Sequence, residues 1–232
     1  MLAITFCVTS GTAHFHSVES PFVNPASLFT IIDYAGVAAG ALGGALIALR
    51  DERYNYDFIG VIGLGLISGV GGGAARDVLL QHGPPLVLTD LRYFYIALGG
   101  AVAGLLFGAS VGRRTERAIT VIDAAGLGFF AVAGATRAAH AGLSMIPALL
   151  LGIVTAVGGG SLRDVFMGRP PRIFEQGEPY AMVAALAATL FLLATRSGVP
   201  AVTATALAVL VGFTVRLLAL RFHWKTRGVR VN

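Results

Sequence analysis

The chain reads as an all-α integral membrane protein: seven transmembrane helices, six of them forming a 3+3 inverted-topology repeat and one added at the end. Three observations predict this. Of 232 residues, 56% are hydrophobic and only 12% are charged, about half the charge of a soluble domain, and the mean hydropathy is +0.78. Seven apolar stretches have spanning length, about 17–25 residues each. The block Val70-Gly71-Gly72-Gly73-Ala74-Ala75-Arg76-Asp77-Val78 returns as Val157-Gly158-Gly159-Gly160-Ser161-Leu162-Arg163-Asp164-Val165.

The stretches lie near 28–49, 58–80, 93–111, 118–139, 143–167, 180–196 and 199–221. They are too long and too rich in Gly and Ala for strands, and the alternation of a membrane barrel is missing. The 31 glycines suit close-packed membrane helices. Residues 1–27 lack a basic leader and an Ala-x-Ala cleavage site, so they read as an N-terminal arm rather than a signal peptide. Residues 28–111 form the first repeat, 118–196 the second and 199–221 the seventh helix. Residues 222–232, with Trp224, Lys225, Arg227 and Arg230, read as a basic cytoplasmic tail lying on anionic membrane lipids.

The basic residues set the orientation. Eleven lie in loops on one side: Arg50, Arg53, Arg113, Arg114, Arg117, Arg169, Arg172, Arg221, Lys225, Arg227 and Arg230. Only Arg92, Arg137 and Arg196 lie on the other. The positive-inside rule therefore puts the N-terminus outside and the C-terminus in the cytoplasm. This topology accounts for the net charge of +5, with no nucleic-acid partner. Arg76, Arg163 and Arg216 fall inside spans. Arg216 is near the cytoplasmic end of the last one, where a snorkelling side chain is expected.

The repeat extends beyond the glycines. Asp33-x-x-Gly36 matches Asp123-x-x-Gly126, Pro84-Pro85 matches Pro170-Pro171, and Tyr93 matches Tyr180. Residues 69–80 and 156–167 agree at 7 of 12 positions. Each repeat has three spans, an odd number, so the second enters the membrane from the opposite side. Such folds place their pathway between the repeats near the midplane.

Three consecutive glycines cost about 1 kcal/mol each against alanine in a helix. Two readings compete for Gly71, Gly72, Gly73 and for Gly158, Gly159, Gly160. The helices break or kink there and expose carbonyls to a polar cavity, or glycine permits a close crossing. The Arg-Asp pair after each triplet favours the first. With a rise of 1.5 Å per residue, Asp33 and Arg76 come to similar depth near the outer side. Asp123 and Arg163 do so near the inner side. Asp33–Arg76 and Asp123–Arg163 are thus expected to be neighbours, with Asp77 and Asp164 close by. They serve either as buried pairs that fix helix register or as acids that concentrate cations at two symmetric mouths, with the arginines as barriers. The stripes Gly36-x3-Gly40-x3-Gly44 and Gly100-x3-Gly104-x3-Gly108 predict tight packing within or between protomers.

Other signals carry no chemistry. Gly126-Leu127-Gly128-Phe129-Phe130-Ala131 fits a dinucleotide fingerprint, but no strand precedes it. The five histidines have no metal-ligand spacing, Ser and Thr have no paired His base, and Cys7 is the sole cysteine. No enzyme, metal or cofactor is expected.

The doubled Gly-Gly-Gly-x-x-Arg-Asp and Asp-x-x-Gly, over residues 28 to 221, resemble the prokaryotic trimeric intracellular cation (TRIC) channels, also catalogued as two-copy glycine transporter membrane domains. The resemblance implies a homotrimer in a prokaryotic cell membrane. It also implies an hourglass pathway through each protomer, lined by the second and fifth spans, and a conductance for monovalent cations. These are chiefly K⁺, with Na⁺ a second candidate. Two alternatives remain: a secondary transporter of a small zwitterion such as glycine, for which Arg and Asp would suit the two charges, and a non-transporting scaffold.

Overall fold

A computed structural model describes residues 25–81, 83–108, 114–177 and 179–224. The expected arm, up to residue 24, and the tail from residue 225 lie outside the described residues. Among the described residues eight α-helices form, besides a 3-10 turn at Arg172–Phe174: α1 (Pro25–Leu49), α2 (Phe58–Leu80), the short α3 (Leu86–Thr89), α4 (Leu91–Gly108), α5 (Arg114–His140), α6 (Met145–Phe166), α7 (Tyr180–Arg196) and α8 (Ala201–Arg221). Six are long and apolar enough to cross a membrane, and α7 is a shorter apolar helix of 17 residues. No strand occurs among the described residues.

Local chemistry sets several boundaries. Asp57 caps α2, its carboxylate accepting the Gly60 amide at 2.8 Å. Pro200 immediately precedes α8, where a missing amide costs no helical bond. The short α3 is an addition to the sequence expectation. It follows Pro84-Pro85, which cannot continue α2, and turns the chain into α4.

In the first half, α1 packs on α2 and α4, and α2 on α4. In the second, α5 packs on α6 and α7, and α6 on α7. The halves meet through α2 against α6 and α1 against α5, while α8 lies on α7 and α5. The interior is built from small side chains. Ala41, Ala45, Ala97, Ala101, Ala131, Ala184 and Ala187 are fully buried, whereas Phe58, Ile59, Tyr95, Phe107, Ile146 and Phe166 point outward. Large apolar groups outside and small residues between helices are what a lipid-facing bundle requires.

Both glycine stripes act within the protomer. Gly40 and Gly44 face α2, and Gly100 and Gly104 face the α1 carbonyls of Ala38 and Leu42.

The glycine triplets depart from the expected break. Both α2 and α6 remain helical through them. A Cβ at Gly72 would collide with the Thr155 carbonyl oxygen, and one at Gly159 with the Ser68 carbonyl oxygen. A Cβ at Gly158 would come 3.2 Å from Gly72 Cα. Glycine is therefore spent on bringing two helix backbones into contact. The helical hydrogen bonds need no rupture, because the polar groups of the site come from side chains.

Gly72→Ala and Gly159→Ala should each destabilise the protein by at least about 1–3 kcal/mol, the usual cost of overpacking, because the obstacle is backbone and cannot rotate away. At Gly63 and Gly99 a Cβ would meet nothing within 4 Å, and alanine there should leave stability unchanged or raise it. Thermal unfolding of the four variants in detergent checks this contrast.

Candidate functional site

Two pseudo-equivalent charge clusters flank the α2–α6 crossing. In the first, Arg76 is 1% exposed and lies beside Asp33 on α1, also 1% exposed. Its guanidinium makes a fork: Nη1 donates to Asp33 Oδ1 at 3.1 Å and Nη2 to Asp33 Oδ2 at 3.2 Å. Nε donates to Asp77 Oδ1 at 2.8 Å. The Tyr93 hydroxyl on α4 donates to Asp33 Oδ2 at 2.9 Å. Asp77 Oδ2 accepts the Leu86 amide at 2.9 Å, tying the end of α2 to α3. The Phe29 ring lies 5.6 Å from the Arg76 guanidinium and 5.7 Å from that of Arg137, a cation–π bridge between the halves. The expected Asp33–Arg76 neighbours, with Asp77 beside them, are therefore together. One guanidinium satisfies two carboxylates, as burial of charge demands.

The second cluster keeps half of this plan. Tyr180 donates to Asp123 Oδ1 at 3.1 Å, as Tyr93 does to Asp33. Asp164 Oδ2 accepts the Arg172 amide at 3.4 Å, as Asp77 does that of Leu86. The expected Asp123–Arg163 pair does not form. Arg163 turns to Asp164, with Nη2 2.7 Å and Nε 3.1 Å from Oδ1. Arg169 adds a second guanidinium to Asp164 at 3.3 Å. The cation beside Asp123 is instead Arg216 of α8, with Nη2 4.0 Å from Oδ2. Its guanidinium lies 4.8 Å from the centre of the Tyr180 ring. Arg216 is 5% exposed, so the expected snorkelling is also corrected. The reason is direct: α8 packs on α5 and α7, and its Arg finds a buried carboxylate nearer than the membrane surface.

Each cluster borders a cavity. The one beside Arg76 is narrow and partly open and is lined by Asp33, Gly73, Arg76, Asp77 and Tyr93. The other is wider, also partly open, and is lined by Ser68, Asp123, Gly160, Arg163 and Tyr180. Asp123 and Arg163 thus face one space without closing on each other. The Asp123 side chain remains 20% exposed. Gly73 and Gly160 border the cavities, while Gly71 lies against Leu162 and Gly158 against Gly72.

Sequence reasoning missed a third group of charges, in the loops on the side assigned to the cytoplasm. Asp51, whose side chain is 2% exposed, accepts the Arg53 amide at 2.9 Å and lies 3.9 Å from Arg169 Nη1. Arg169 therefore links the loop after α1 to Asp164 at the end of α6. Burial alone would raise the Asp51 carboxyl. The Arg53 amide and the Arg53 and Arg169 guanidiniums outweigh it and hold it below the usual carboxylate range. Among the described residues no cluster of His, Cys, Asp and Glu could hold a metal ion.

Asp33→Asn leaves Arg76 buried with half its partners and should cost about 3–5 kcal/mol. Asp123→Asn keeps an oxygen for the Tyr180 hydroxyl, gives up the charge on it and a looser ion pair, and should cost about 1 kcal/mol. Thermal unfolding should rank them in that order. Because the folded Asp51 pKa lies below its unfolded value, its stabilisation is in force above about pH 4 and vanishes as pH falls through the folded value. The gap in melting temperature between wild type and Asp51→Asn should therefore be widest near neutral pH and close on acidification.

Known proteins carry the same architecture. The family described as glycine transporter matches the chain twice, over residues 30–109 and 120–196. A UPF0126 membrane protein of Deinococcus radiodurans is 39% identical over 158 residues, covering 68% of this chain and 72% of the relative. The UPF0126 inner membrane protein YadS of Escherichia coli (strain K12) is 31% identical over 195 residues, covering 84% and 92%. Among solved structures, the TRIC trimeric intracellular cation channel orthologue from Rhodobacter sphaeroides is 33% identical. It superposes with a TM-score of 0.77 over 84% of this chain and 98% of its own. A prokaryotic TRIC channel determined in 0.5 M KCl is 27% identical, with a TM-score of 0.77 over 87% and 100%. With both halves matched and the bundle superposing on these structures, the chain is a multi-pass integral membrane protein that belongs to the two-copy glycine transporter family, together with the prokaryotic TRIC channels.

Proposed function

We propose that this protein is a monovalent cation channel, chiefly for K⁺, with a separate pathway through each protomer of a homotrimer. The observation that carries the reading is a pair of acid-bordered cavities placed on opposite sides of one glycine crossing. The larger meets α2 at Ser68 and the smaller meets it from Val70 to Asp77. Tyr93 and Tyr180 mark equivalent walls of the two. The similarity to TRIC cation channels supports the same reading.

In the orientation given by the loop arginines, the larger cavity faces the cytoplasm and the smaller faces outside. Asp123 at one mouth, and at the other Asp33 together with Asp77, whose two charges exceed the one of Arg76, supply the negative field that raises local cation concentration. The contact of Gly72 with Thr155 and of Gly159 with Ser68 is the constriction between them. In this arrangement the path is shut: the backbones touch, and Arg76 occupies Asp33 completely. Conduction requires α2 and α6 to separate at the triplets, and smooth glycine surfaces allow that sliding without interlocked side chains. Arg76 and Arg163 act as gates. Each stays neutralised by its neighbour, Asp77 or Asp164, so that neither presents a bare positive charge to the ion. Asp77 and Asp164 also hold the loop amides of Leu86 and Arg172, which couples the gates to the membrane surface.

Arg163 and Asp123 facing one cavity would also suit a small zwitterion, so the test separates the two activities. Purified protein in a planar bilayer under a KCl gradient should give single-channel steps that reverse near the K⁺ potential. Asp123→Asn should lower the unitary conductance several-fold in dilute KCl and less in concentrated KCl, where screening removes the field. Saturable glycine uptake into liposomes, with no current, would overturn the channel reading.

A further inference from the structure

Arg216 is the buried arginine that the duplication does not explain. It comes from α8, outside both repeats, yet it reaches Asp123, the counterpart of Asp33. The first cluster shows what this carboxylate position holds when its own repeat supplies the cation: a bidentate guanidinium at 3.1 and 3.2 Å plus a tyrosine hydroxyl. In the second, the tyrosine is kept but Arg163 is drawn away by Asp164. Arg216 stands 4.0 Å off with its guanidinium against the Tyr180 ring. The result is a carboxylate that lines a partly open cavity and stands 4.0 Å from the Arg216 guanidinium.

We infer that Arg216 is a tethered competitor for the cation site at Asp123, setting how tightly the cytoplasmic cavity holds a permeant ion. The inference rests on the channel reading above. A carboxylate in a cavity of low dielectric binds a monovalent cation strongly if nothing shares it, and an ion that binds too strongly does not leave. A guanidinium fixed at 4.0 Å shares the charge without filling the site. The Tyr180 ring keeps it there, since a cation over an aromatic face is stabilised. Closer approach, as at Arg76, would close the site. The cation on the opposite wall, Arg163, is held by Asp164, which it shares with Arg169, so the cation within 4.0 Å of Asp123 is Arg216.

The test is the dependence of unitary current on KCl concentration, from about 20 mM to 1 M, with each variant first shown to elute and melt as a folded protein. Arg216→Gln should lower the half-saturating K⁺ concentration several-fold, raising current in dilute KCl and capping it in concentrated KCl. Arg216→Lys keeps the charge on a shorter stem that no longer spreads over Tyr180. It should shift the curve the same way by less, and it serves alone if the Gln variant does not fold. In an Asp123→Asn background, Arg216→Gln should have no further effect on saturation. A wild-type-like curve for the folded Gln variant, or for the Lys variant where Gln does not fold, overturns the inference and leaves the channel standing. So does an equal shift in the Asp123→Asn background. A wild-type protein that carries no cation current overturns the channel reading and this inference with it.

Discussion

The rest of the molecule is arranged around the contact of α2 with α6 at Gly72 and Gly159. Each residue faces a main-chain carbonyl of the other helix, Thr155 and Ser68 respectively, so the separation of the two halves is set by backbone and not by side chains. A bilayer gives helices no hydrophobic reason to associate, and close backbone approach is what replaces it. Everything polar in the interior is then hung beside this contact. Arg76 and Arg163 lie four residues beyond Gly72 and Gly159, so the two charge clusters are carried to opposite sides of the crossing.

The charged interior follows from the same constraint. Small residues bring helices together but leave no room to hydrate an ion, so each buried charge needs its partner within reach. Arg76 meets that need with two acids and a fixed geometry. Asp123 meets it with a tyrosine and an arginine borrowed from α8. The two clusters are therefore equal in ancestry of sequence and unequal in tightness. One is a closed knot around a single guanidinium. The other is an open arrangement in which four arginines, Arg53, Arg163, Arg169 and Arg216, are divided among Asp123, Asp164 and Asp51.

Much of this was legible in the sequence. Span length and apolarity located the helices, because a membrane span must be long and self-satisfied in its hydrogen bonds. The doubled Arg-Asp pointed to buried ion pairs, and matching depths brought Asp33 to Arg76. Depth could not bring Asp123 to Arg163, since two groups at one level still choose among partners around the helix, and Asp164 was nearer. Arg216 was visible as a charge inside an apolar span, the one signal that could have placed it in the site, but its closeness to a helix end admitted a second explanation. The contribution of Asp51 was hidden for another reason. It sits in a loop, where an acid beside an arginine ordinarily means a solvated surface. The glycine triplets named a special place on each helix without saying whether it was a break or a crossing. Only the position of a neighbouring carbonyl decides that.

The crossing has a consequence for how such a chain can change over generations. Where two side chains clash, a second substitution can shrink the neighbour and restore the fit. At Gly72 and Gly159 the neighbours are carbonyl oxygens, which every amino acid carries alike. No compensating exchange at Thr155 or Ser68 could make space, because the atom in the way does not depend on the residue identity there. The two positions are thus locked independently, each by the other helix's main chain. A lineage descended from this duplication can alter its charges, its loops and its last helix far more freely than these two hydrogens.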